Sequence, residues 1–209
     1  FKYDVIISKL IIPIIEKDLN YIMDNYNKVS FDIWEEKLGW HFYTRLVQLK
    51  FIKDSIKFRK MLVNTDIEKL RDIDNKLSKD IQDSIICITG AGGSIGSELT
   101  RQIIEFYPKK IILIDNSESN LYQINAEFER STFDQSKIIP VLGDCCNLEF
   151  VINIFHQEKI DIVFHAAAYK HVPLVEINPL NSIKNNVFST LNICIASKKH
   201  RLKKVLMIS

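Results

Sequence analysis

A glycine-rich segment at residues 85–97, IICITGAGGSIGS, constrains the fold of this chain more than any other feature. The apolar start of the segment predicts a β-strand, its glycines predict a tight turn, and its end predicts the first turn of a helix. Gly90 would let the strand turn sharply, Gly93 would let backbone N–H groups approach an anion, and Gly96 would let the helix pack on the strand. The N–H groups at a helix N-terminus favour a bound phosphate. The segment therefore predicts a strand–turn–helix unit that binds the pyrophosphate of a dinucleotide.

Length, charge and cysteine content limit the class of protein. A chain of 209 residues is long enough for one domain, or for one domain with an extension. Its net charge of +2 gives no electrostatic reason to expect nucleic acid or an anionic membrane as a partner. The four cysteines show no C-x-x-C spacing, so we expect reduced thiols that pack as small apolar groups, and no metal site.

The apolar stretches are too short to cross a membrane. The longest, residues 5–15, is interrupted by Lys9 and Pro13 and falls well below the ~20 residues of a transmembrane helix. With no visible signal peptide we expect a cytoplasmic protein. The chain starts at Phe1 rather than Met, which leads us to expect a fragment.

The pattern of apolar residues divides the chain into three parts. Residues 1–58 are rich in aromatic residues at helical spacing, and residues 59–82 are polar and charged, as in a linker or a surface helix. Over residues 83–209 apolar strands alternate with helices, which predicts an α/β domain with a Rossmann-type parallel sheet flanked by helices. The predicted strands are 85–89, 110–114, 138–142, 161–165 and 204–208. The predicted helices are 94–106, 119–130, 148–158 and 181–199.

Acidic residues follow two of the predicted strands. Asp115 comes 25 positions after the first glycine of the turn, where a carboxylate can accept hydrogen bonds from the adenosine ribose. No Lys or Arg follows it before Arg130, so a 2′-phosphate has no evident partner and NAD is favoured over NADP. Asp144 follows the third strand, where it could accept from the adenine amino group or cap its own loop.

Three alanines and two asparagines lie farther along the chain. Residues 166–168 are all alanine and would leave space for a cofactor beside the end of the fourth strand, although small residues there also simply pack well. Asn185 and Asn186 fall in the next predicted helix, where they would either flank the site or face solvent.

Four segments together resemble a known family. They are TGAGGSIGSELTRQI, IILIDNSESNLYQI, GDCCN and VFHAAAYKHVPLVEINPLNSIKNNVFSTLNI. They resemble the extended short-chain dehydrogenase/reductase superfamily and, more narrowly, the CapD-type nucleotide-sugar 4,6-dehydratases of polysaccharide biosynthesis. The resemblance covers about residues 72–209, and HAAAYKHVPLVE is its most specific part. It implies NAD as cofactor, a UDP-N-acetyl-hexosamine type of nucleotide sugar as substrate, a lyase reaction, and leaves a homo-oligomer open. The cofactor site that it implies comprises Gly90, Gly93, Ser94, Ile95, Gly96, Asp115, Ser117, Asp144, Cys145, Ala166, Ala167, Ala168, Lys170 and Asn186.

The reaction implied by the resemblance oxidises C4 of the sugar, eliminates water across C5 and C6, and then reduces C6. Lys170 is a candidate proton carrier. Ser209 stands at the edge of the Thr/Ser-Asp-Lys stretch that the family places after its fifth strand, and the rest of that stretch is not in the sequence. We therefore expect this polypeptide to bind NAD and not to turn over a sugar nucleotide.

The first part of the chain resembles a different family. KYDVIISKLIIPIIEKDLNYIMDNY and VSFDIWEEKLGWHFYTRLVQLKFI, within residues 2–53, resemble the glucoamylase-type (family 15) glycoside hydrolases. This resemblance implies Glu35 as the general acid of an inverting hydrolysis, whose partner carboxylate the family supplies far downstream. Without the rest of a barrel, Asp32, Glu35 and Glu36 are better explained as a solvated helix start. Two alternative functions thus stay open: a glucoamylase-like hydrolase fragment and a non-catalytic nucleotide-binding or assembly module.

Overall fold

The chain forms two compact units, residues 1–80 and 81–209, in the computed structural model. The structure describes residues 2–25, 30–31, 38–39, 51–52, 54–56, 66–129 and 134–208. Glu35 and Ser209 lie outside the described residues. The three-part division at residues 58 and 82 stays a prediction.

The first unit contains two long helices and a short β-ladder. Helix α1 spans Lys2–Asn25, helix α2 spans Ile67–Gln82, and strands β1 (Ser30–Phe31) and β2 (Leu38–Gly39) pair antiparallel. The sequence predicted only helices before residue 58, because strands of two residues are too short to show an alternating pattern. Apolar residues at helical spacing form the core of this unit: Leu19, Ile22, Met23, Ile52, Leu70 and Ile73.

The second unit is built on a five-stranded parallel sheet. Its strands are β3 (Ile85–Thr89), β4 (Lys110–Asp115), β5 (Ile138–Leu142), β6 (Ile162–His165) and β7 (Lys204–Met207). Their spatial order is β5-β4-β3-β6-β7, so the chain first builds outward on one side of β3 and then returns to its other side. This is the strand order of a doubly wound sheet, in which ligands bind where the order reverses. The predicted Rossmann-type α/β fold is therefore confirmed.

Six α-helices, one 3-10 turn (Gln135–Lys137) and one π-helical turn accompany these strands in the described part of the chain. The helices are α3 (Ser94–Ile104), α4 (Glu118–Glu129), α5 (Leu148–Glu158), α6 (Val172–Ile177), α7 (Pro179–Ile183) and α8 (Ser189–His200). The π turn, Lys184–Phe188, joins α7 to α8. The single helix predicted at 181–199 is thus divided, and α6 was not predicted; Pro173 and Pro179 occupy first turns, where the missing N–H costs little. Among the described helices, none has the length and hydropathy needed to span a bilayer.

The sheet is covered by apolar side chains of the helices that follow it. In β3 and β4 every residue after the first is buried, which explains why these strands are near-continuous apolar runs. One core cluster joins the sheet to α5 and α8: Cys87, Ile112, Val163, Val151, Phe155, Ile193 and Ala196. Burial of a large apolar side chain contributes about 1.5–3 kcal/mol.

Candidate functional site

The glycine turn starts in a backbone conformation that favours glycine. Gly90 follows β3 with φ of +66°, and a Cβ there would lie 2.8 Å from the Ala167 Cα and 2.9 Å from the Ala166 carbonyl carbon. A Cβ on Gly96 would overlap the carbonyl oxygen of Gly90. Glycine is therefore needed at residue 90 for the conformation of the turn, and at residue 96 for the close approach of α3 to that turn.

The N-terminus of α3 has no side-chain cap. Gly93 is its N-cap residue, and the first intrahelical bond runs from the Ser97 N–H to the Gly93 carbonyl, 2.8 Å away. The N–H groups of Ser94, Ile95 and Gly96 precede that bond and so point out of the helix end. Together with the positive end of the helix dipole they form an anion site suited to phosphate groups.

Asp115 ends β4 and is buried beside the glycine turn. One of its carboxylate oxygens accepts a hydrogen bond from the Gly92 N–H at 2.9 Å, and the other accepts from the Ser117 N–H at 2.9 Å. The side chain is 7% exposed. Two carboxylate oxygens offer about four acceptor positions, so acceptor capacity remains for a ligand. Asp115 therefore positions the turn and still presents an acceptor to the site.

Two adjoining cavities open at the carboxyl ends of the central strands, with volumes of about 800 and about 180 Å³. The glycine turn and residues 166–171, which we call the alanine loop, line both of them in part. All but two of the cofactor-site residues implied by the resemblance line one or both cavities: Gly90, Gly93, Ser94, Ile95, Gly96, Asp115, Asp144, Cys145, Ala166, Ala167, Ala168 and Lys170. The fold thus brings together residues that are scattered over four βα connections, those after β3, β4, β5 and β6.

The two exceptions, Ser117 and Asn186, support the site from outside the cavities. The Ser117 Oγ accepts from the Asn120 N–H at 3.4 Å and so caps the start of α4. The Asn186 amide pairs with both backbone groups of Tyr169: its Oδ1 accepts from the Tyr169 N–H at 2.8 Å, and its Nδ2 donates to the Tyr169 carbonyl at 3.0 Å. Asn186 therefore fixes the alanine loop and does not line the cavity.

Asp144 and the two cysteines after it form the loop that follows β5. Asp144 accepts from the Cys146 N–H at 2.8 Å, so it caps its own loop, and it also lines both cavities. Burial raises the pKa of Cys145 to about 12 and that of Cys146 to about 11. We therefore expect both thiols to be protonated at neutral pH and to be poor nucleophiles.

Lys170 lines the larger cavity, and its ammonium group is held at the end of β7. The Lys170 Nζ donates to the Ile208 carbonyl at 2.6 Å, and the Ile208 N–H donates to the His165 carbonyl at 3.0 Å. These bonds tie the alanine loop to the last strand. The role of Lys170 in proton transfer stays a prediction, as does that of Ser209.

Sequence reasoning missed part of the cavity lining. Beside the cavities, Gly92 packs closely on Asn120: a Cβ there would lie 2.5 Å from the Asn120 carbonyl carbon, and a glycine outside the three-residue spacing was the only sequence signal of this contact. Asn185, singled out with Asn186, lines both cavities. One wall of the larger cavity comes from α6, α7 and the π turn: Leu174, Val175, Asn178, Asn181, Ser182 and Lys184. No local sequence pattern predicts this wall, because its residues reach the cavity only through the packing of two short helices.

One family matches more than half of the chain: it is described as Polysaccharide biosynthesis protein and matches residues 86–209. The chain belongs to this family. The resemblance inferred from the glycine turn and HAAAYKHVPLVE is therefore confirmed. The resemblance of residues 2–53 to glucoamylase-type hydrolases lies outside the matched region and stays a prediction.

Two relatives with related names are similar to this chain in sequence. The capsular polysaccharide biosynthesis protein CapD of Staphylococcus aureus is 39% identical over 133 residues, which are 64% of this chain and 22% of that protein. A UDP-N-acetylglucosamine 4,6-dehydratase (inverting) of Campylobacter jejuni is 33% identical over 125 residues, which are 59% of this chain and 35% of that protein. The chain thus spans well under half the length of these relatives.

Solved structures show a similar fold. Pen from Bacillus thuringiensis has a TM-score of 0.56 and 31% identity, over 61% of this chain and 37% of that one. A UDP-glucose 4-epimerase from Bifidobacterium longum, in complex with NAD+ and UDP, has a TM-score of 0.50 and 26% identity, over 60% of this chain and 37% of that one. The region of similarity corresponds in length to the second unit of this family member.

Proposed function

We propose that the chain supplies the NAD-binding part of a nucleotide-sugar 4,6-dehydratase of polysaccharide biosynthesis. The observation that carries the proposal is the uncapped N-terminus of α3 beside Asp115, at the place where the strand order reverses. The family supports the biosynthetic role, and the relative named as a 4,6-dehydratase supports the reaction class. The epimerase solved with NAD+ and UDP supports the cofactor.

The residues of the site fit a pyrophosphate flanked by two nucleosides. Its oxygens would accept from the N–H groups of Ser94, Ile95 and Gly96, in the space that a side chain at the turn would fill. Asp115 would accept from the adenosine ribose hydroxyls. When bound, NAD would supply a nicotinamide ring that takes a hydride from the sugar and gives it back. The small side chain of Ala168 would leave room for that ring.

The charges around Asp115 support NAD over NADP. A 2′-phosphate on the adenosine ribose would lie next to the buried Asp115 carboxylate. Glu118 adds a second acidic side chain three residues later, and residues 116–129 contain no Lys or Arg. Like charges in a partly buried site repel, so the phosphate of NADP would be disfavoured.

We propose that the sugar nucleotide binds in the larger cavity, at the end away from the glycine turn. Its far wall carries the amides of Asn178 and Asn181 and the ammonium of Lys184, and Lys170 lines the same cavity. Amide groups can bond sugar hydroxyls, and an ammonium group favours a diphosphate. We therefore place the nucleotide sugar along α6, α7 and the π turn.

Calorimetric and thermal-shift titrations of the chain with NAD and NADP test the proposal. NAD is expected to bind and to raise the melting temperature, with a stabilisation of about 2.7 kcal/mol at a hundred times its Kd, while NADP at the same concentration gives much less. A folded chain with no stabilisation by millimolar NAD would overturn the proposal. Hydrolysis of a maltose-type substrate that is lost in Glu35→Gln would support the glucoamylase-like alternative instead.

A further inference from the structure

A buried histidine connects the two sides of the cavities, and no role assigned above uses its ring. His165 is the last residue of β6 and is 4% exposed. Its Nδ1 lies 2.7 Å from the Oγ1 of Thr89, at the end of β3, and its Nε2 lies 3.1 Å from the Oγ1 of Thr190 in α8. The Ser189 Oγ is 3.5 Å from the same Nε2. The ring thus joins the residue before the glycine turn to the residues after the π turn.

The hydrogen bonds around the ring determine which nitrogen carries the proton. The Thr190 hydroxyl donates to the Asn186 carbonyl at 2.7 Å, and the Ser189 hydroxyl donates to the Asn185 carbonyl. Because a hydroxyl has a single proton, both groups can only accept from the ring, so Nε2 must be protonated. Burial, with a smaller effect of the Lys170 charge, lowers the pKa of His165 to about 4. The ring is therefore neutral at pH 7, and its Nδ1 accepts from the Thr89 hydroxyl.

The π turn presents two asparagines to the site. Asn185 lines both cavities, and Asn186 holds Tyr169 of the alanine loop by two hydrogen bonds. A π turn has a wider hydrogen-bond pattern than an α-helix and occurs often at functional sites. The hydroxyls of Ser189 and Thr190 bond the carbonyls of these two asparagines from the next helical turn. A group that holds these two hydroxyls in place therefore also holds the π turn, which forms one wall of the cavities.

We infer that His165, protonated on Nε2, is a positioning residue that sets the π turn and the alanine loop at a defined place relative to the glycine turn. The chain of donors runs in one direction, from Thr89 through His165 to Thr190 and on to the Asn186 carbonyl. The inference rests on the proposed function only in taking NAD as the ligand that spans both walls. ADP, by comparison, lacks the nicotinamide half and so would contact less of the alanine loop, which lines the smaller cavity beside Asp115 and continues along the larger one to Lys170.

The experiment compares Thr190→Val with Thr190→Ser. Valine keeps the shape of the side chain but removes the nearer acceptor of the Nε2–H and leaves it only the Ser189 Oγ at 3.5 Å, whereas serine keeps the hydroxyl and is the matched control. We expect Thr190→Val to bind NAD about tenfold more weakly and ADP less than about twofold more weakly, with Thr190→Ser close to wild type. Thr89→Val removes the donor on the other side of the ring and should give the same pattern, so it replaces Thr190→Val should that variant not fold.

Two measurements need no ligand. Nitrogen-15 NMR of the wild-type ring should show His165 protonated on Nε2. Amide hydrogen exchange should become faster at Tyr169 in Thr190→Val, because Asn186 Oδ1 is its acceptor, and should stay unchanged at Gly92, which Asp115 holds. A proton on Nδ1 would overturn the inference. So would a Thr190→Val chain with a lower melting temperature but an unchanged ratio of NAD to ADP affinity and unchanged exchange at Tyr169.

The outcomes separate the inference from the proposed function. A wild-type chain that binds neither NAD nor ADP contradicts the proposed function, and the NMR and exchange results then decide the inference alone. A wild-type chain that binds NAD, with equal losses of NAD and ADP affinity in Thr190→Val, supports the proposed function and overturns the inference.

Discussion

Replacing Gly96 by alanine should destabilise the second unit, although alanine is the better helix former. Gly-to-Ala changes inside a helix normally stabilise by about 0.5–1 kcal/mol. Here the new Cβ would overlap the Gly90 carbonyl oxygen and lie 2.9 Å from the Ala91 Cα. These atoms belong to a turn held to β4 by Ala91 N–H to Ile114 and Gly92 N–H to Asp115, so they yield little. Overpacking costs about 1–3 kcal/mol, and we expect a net loss of about 1–2 kcal/mol.

Gly93→Ala is the matched control in the same turn. The φ of −70° and ψ of 166° at Gly93 suit any residue, and the nearest neighbour of a new Cβ would be the Gly90 carbonyl oxygen at 3.3 Å. Alanine in place of an N-cap glycine should cost about 1 kcal/mol or less. The added methyl group would stand in the path of the pyrophosphate. We therefore expect near-normal stability and NAD binding weakened by about tenfold or more.

Urea unfolding followed by far-UV circular dichroism and amide exchange measures both effects. The two tryptophans, Trp34 and Trp40, lie in the first unit, so their fluorescence does not follow the sheet; exchange at Cys87 and Ile112 in the central strands does. Gly96→Ala should lower the urea midpoint with an unchanged m-value. A Gly96→Ala chain as stable as wild type would refute the reasoning, as would a greater loss of stability in Gly93→Ala.

Three further outcomes are expected. Burial lowers the pKa of His165 from 6.5 to about 4, so between these pH values the unfolded chain takes up a proton that the folded chain does not. The free energy of unfolding is therefore highest above pH 6.5 and decreases as the pH falls toward 4. Between pH 7 and 5 this amounts to about 2 kcal/mol in urea titrations, and an equal pH dependence in His165→Gln would contradict it. Asp115→Asn should turn an amide NH2 toward the N–H of Gly92 or Ser117, cost about 1–3 kcal/mol in the same titrations, and weaken NAD binding; unchanged NAD affinity would remove Asp115 from the site. Cys146, whose pKa is raised by burial to about 11, should react with iodoacetamide at pH 8 about a hundredfold more slowly than an unperturbed thiol when the other three cysteines are alanine; a rate like that of a free thiol would contradict its burial.

The strands and the glycine turn could be predicted from the sequence because neighbouring residues encode them. Strands β3 and β5 begin and end at the predicted residues. Strand β3 is buried after its first residue and therefore needs an unbroken apolar run, and β5, at the edge of the described sheet, is also a short apolar run although only Ile138 in it is buried. Helix α5 also has the predicted bounds, with Asn147 capping its first turn through the Phe150 N–H. The anion site could be placed because the spacing of Gly90, Gly93 and Gly96 specifies backbone geometry directly.

The side chains that complete the site could be placed only in part. Asp115, Asp144 and the three alanines follow strands, and parallel strands end at one edge, so topology alone brings them together. The sequence predicts an ordinary helix over the π turn, because residues 184–188 contain no helix breaker, and the bonds of the Ser189 and Thr190 hydroxyls to the carbonyls of this turn appear only in the structure.

Hydrogen-bond partners were decided by the tertiary structure. Asp115 meets Gly92 across 23 residues, Asn186 meets Tyr169 across 17, and His165 meets Thr89 across 76. A hydrogen bond requires donor and acceptor within about 3.2 Å, and that separation depends on strand register and helix position rather than on residue type. The sequence by itself thus determined the glycine turn and the helix start that we propose as the phosphate site. Only the fold decided that Asn186 supports the alanine loop and that a buried His165 joins the two walls of the site.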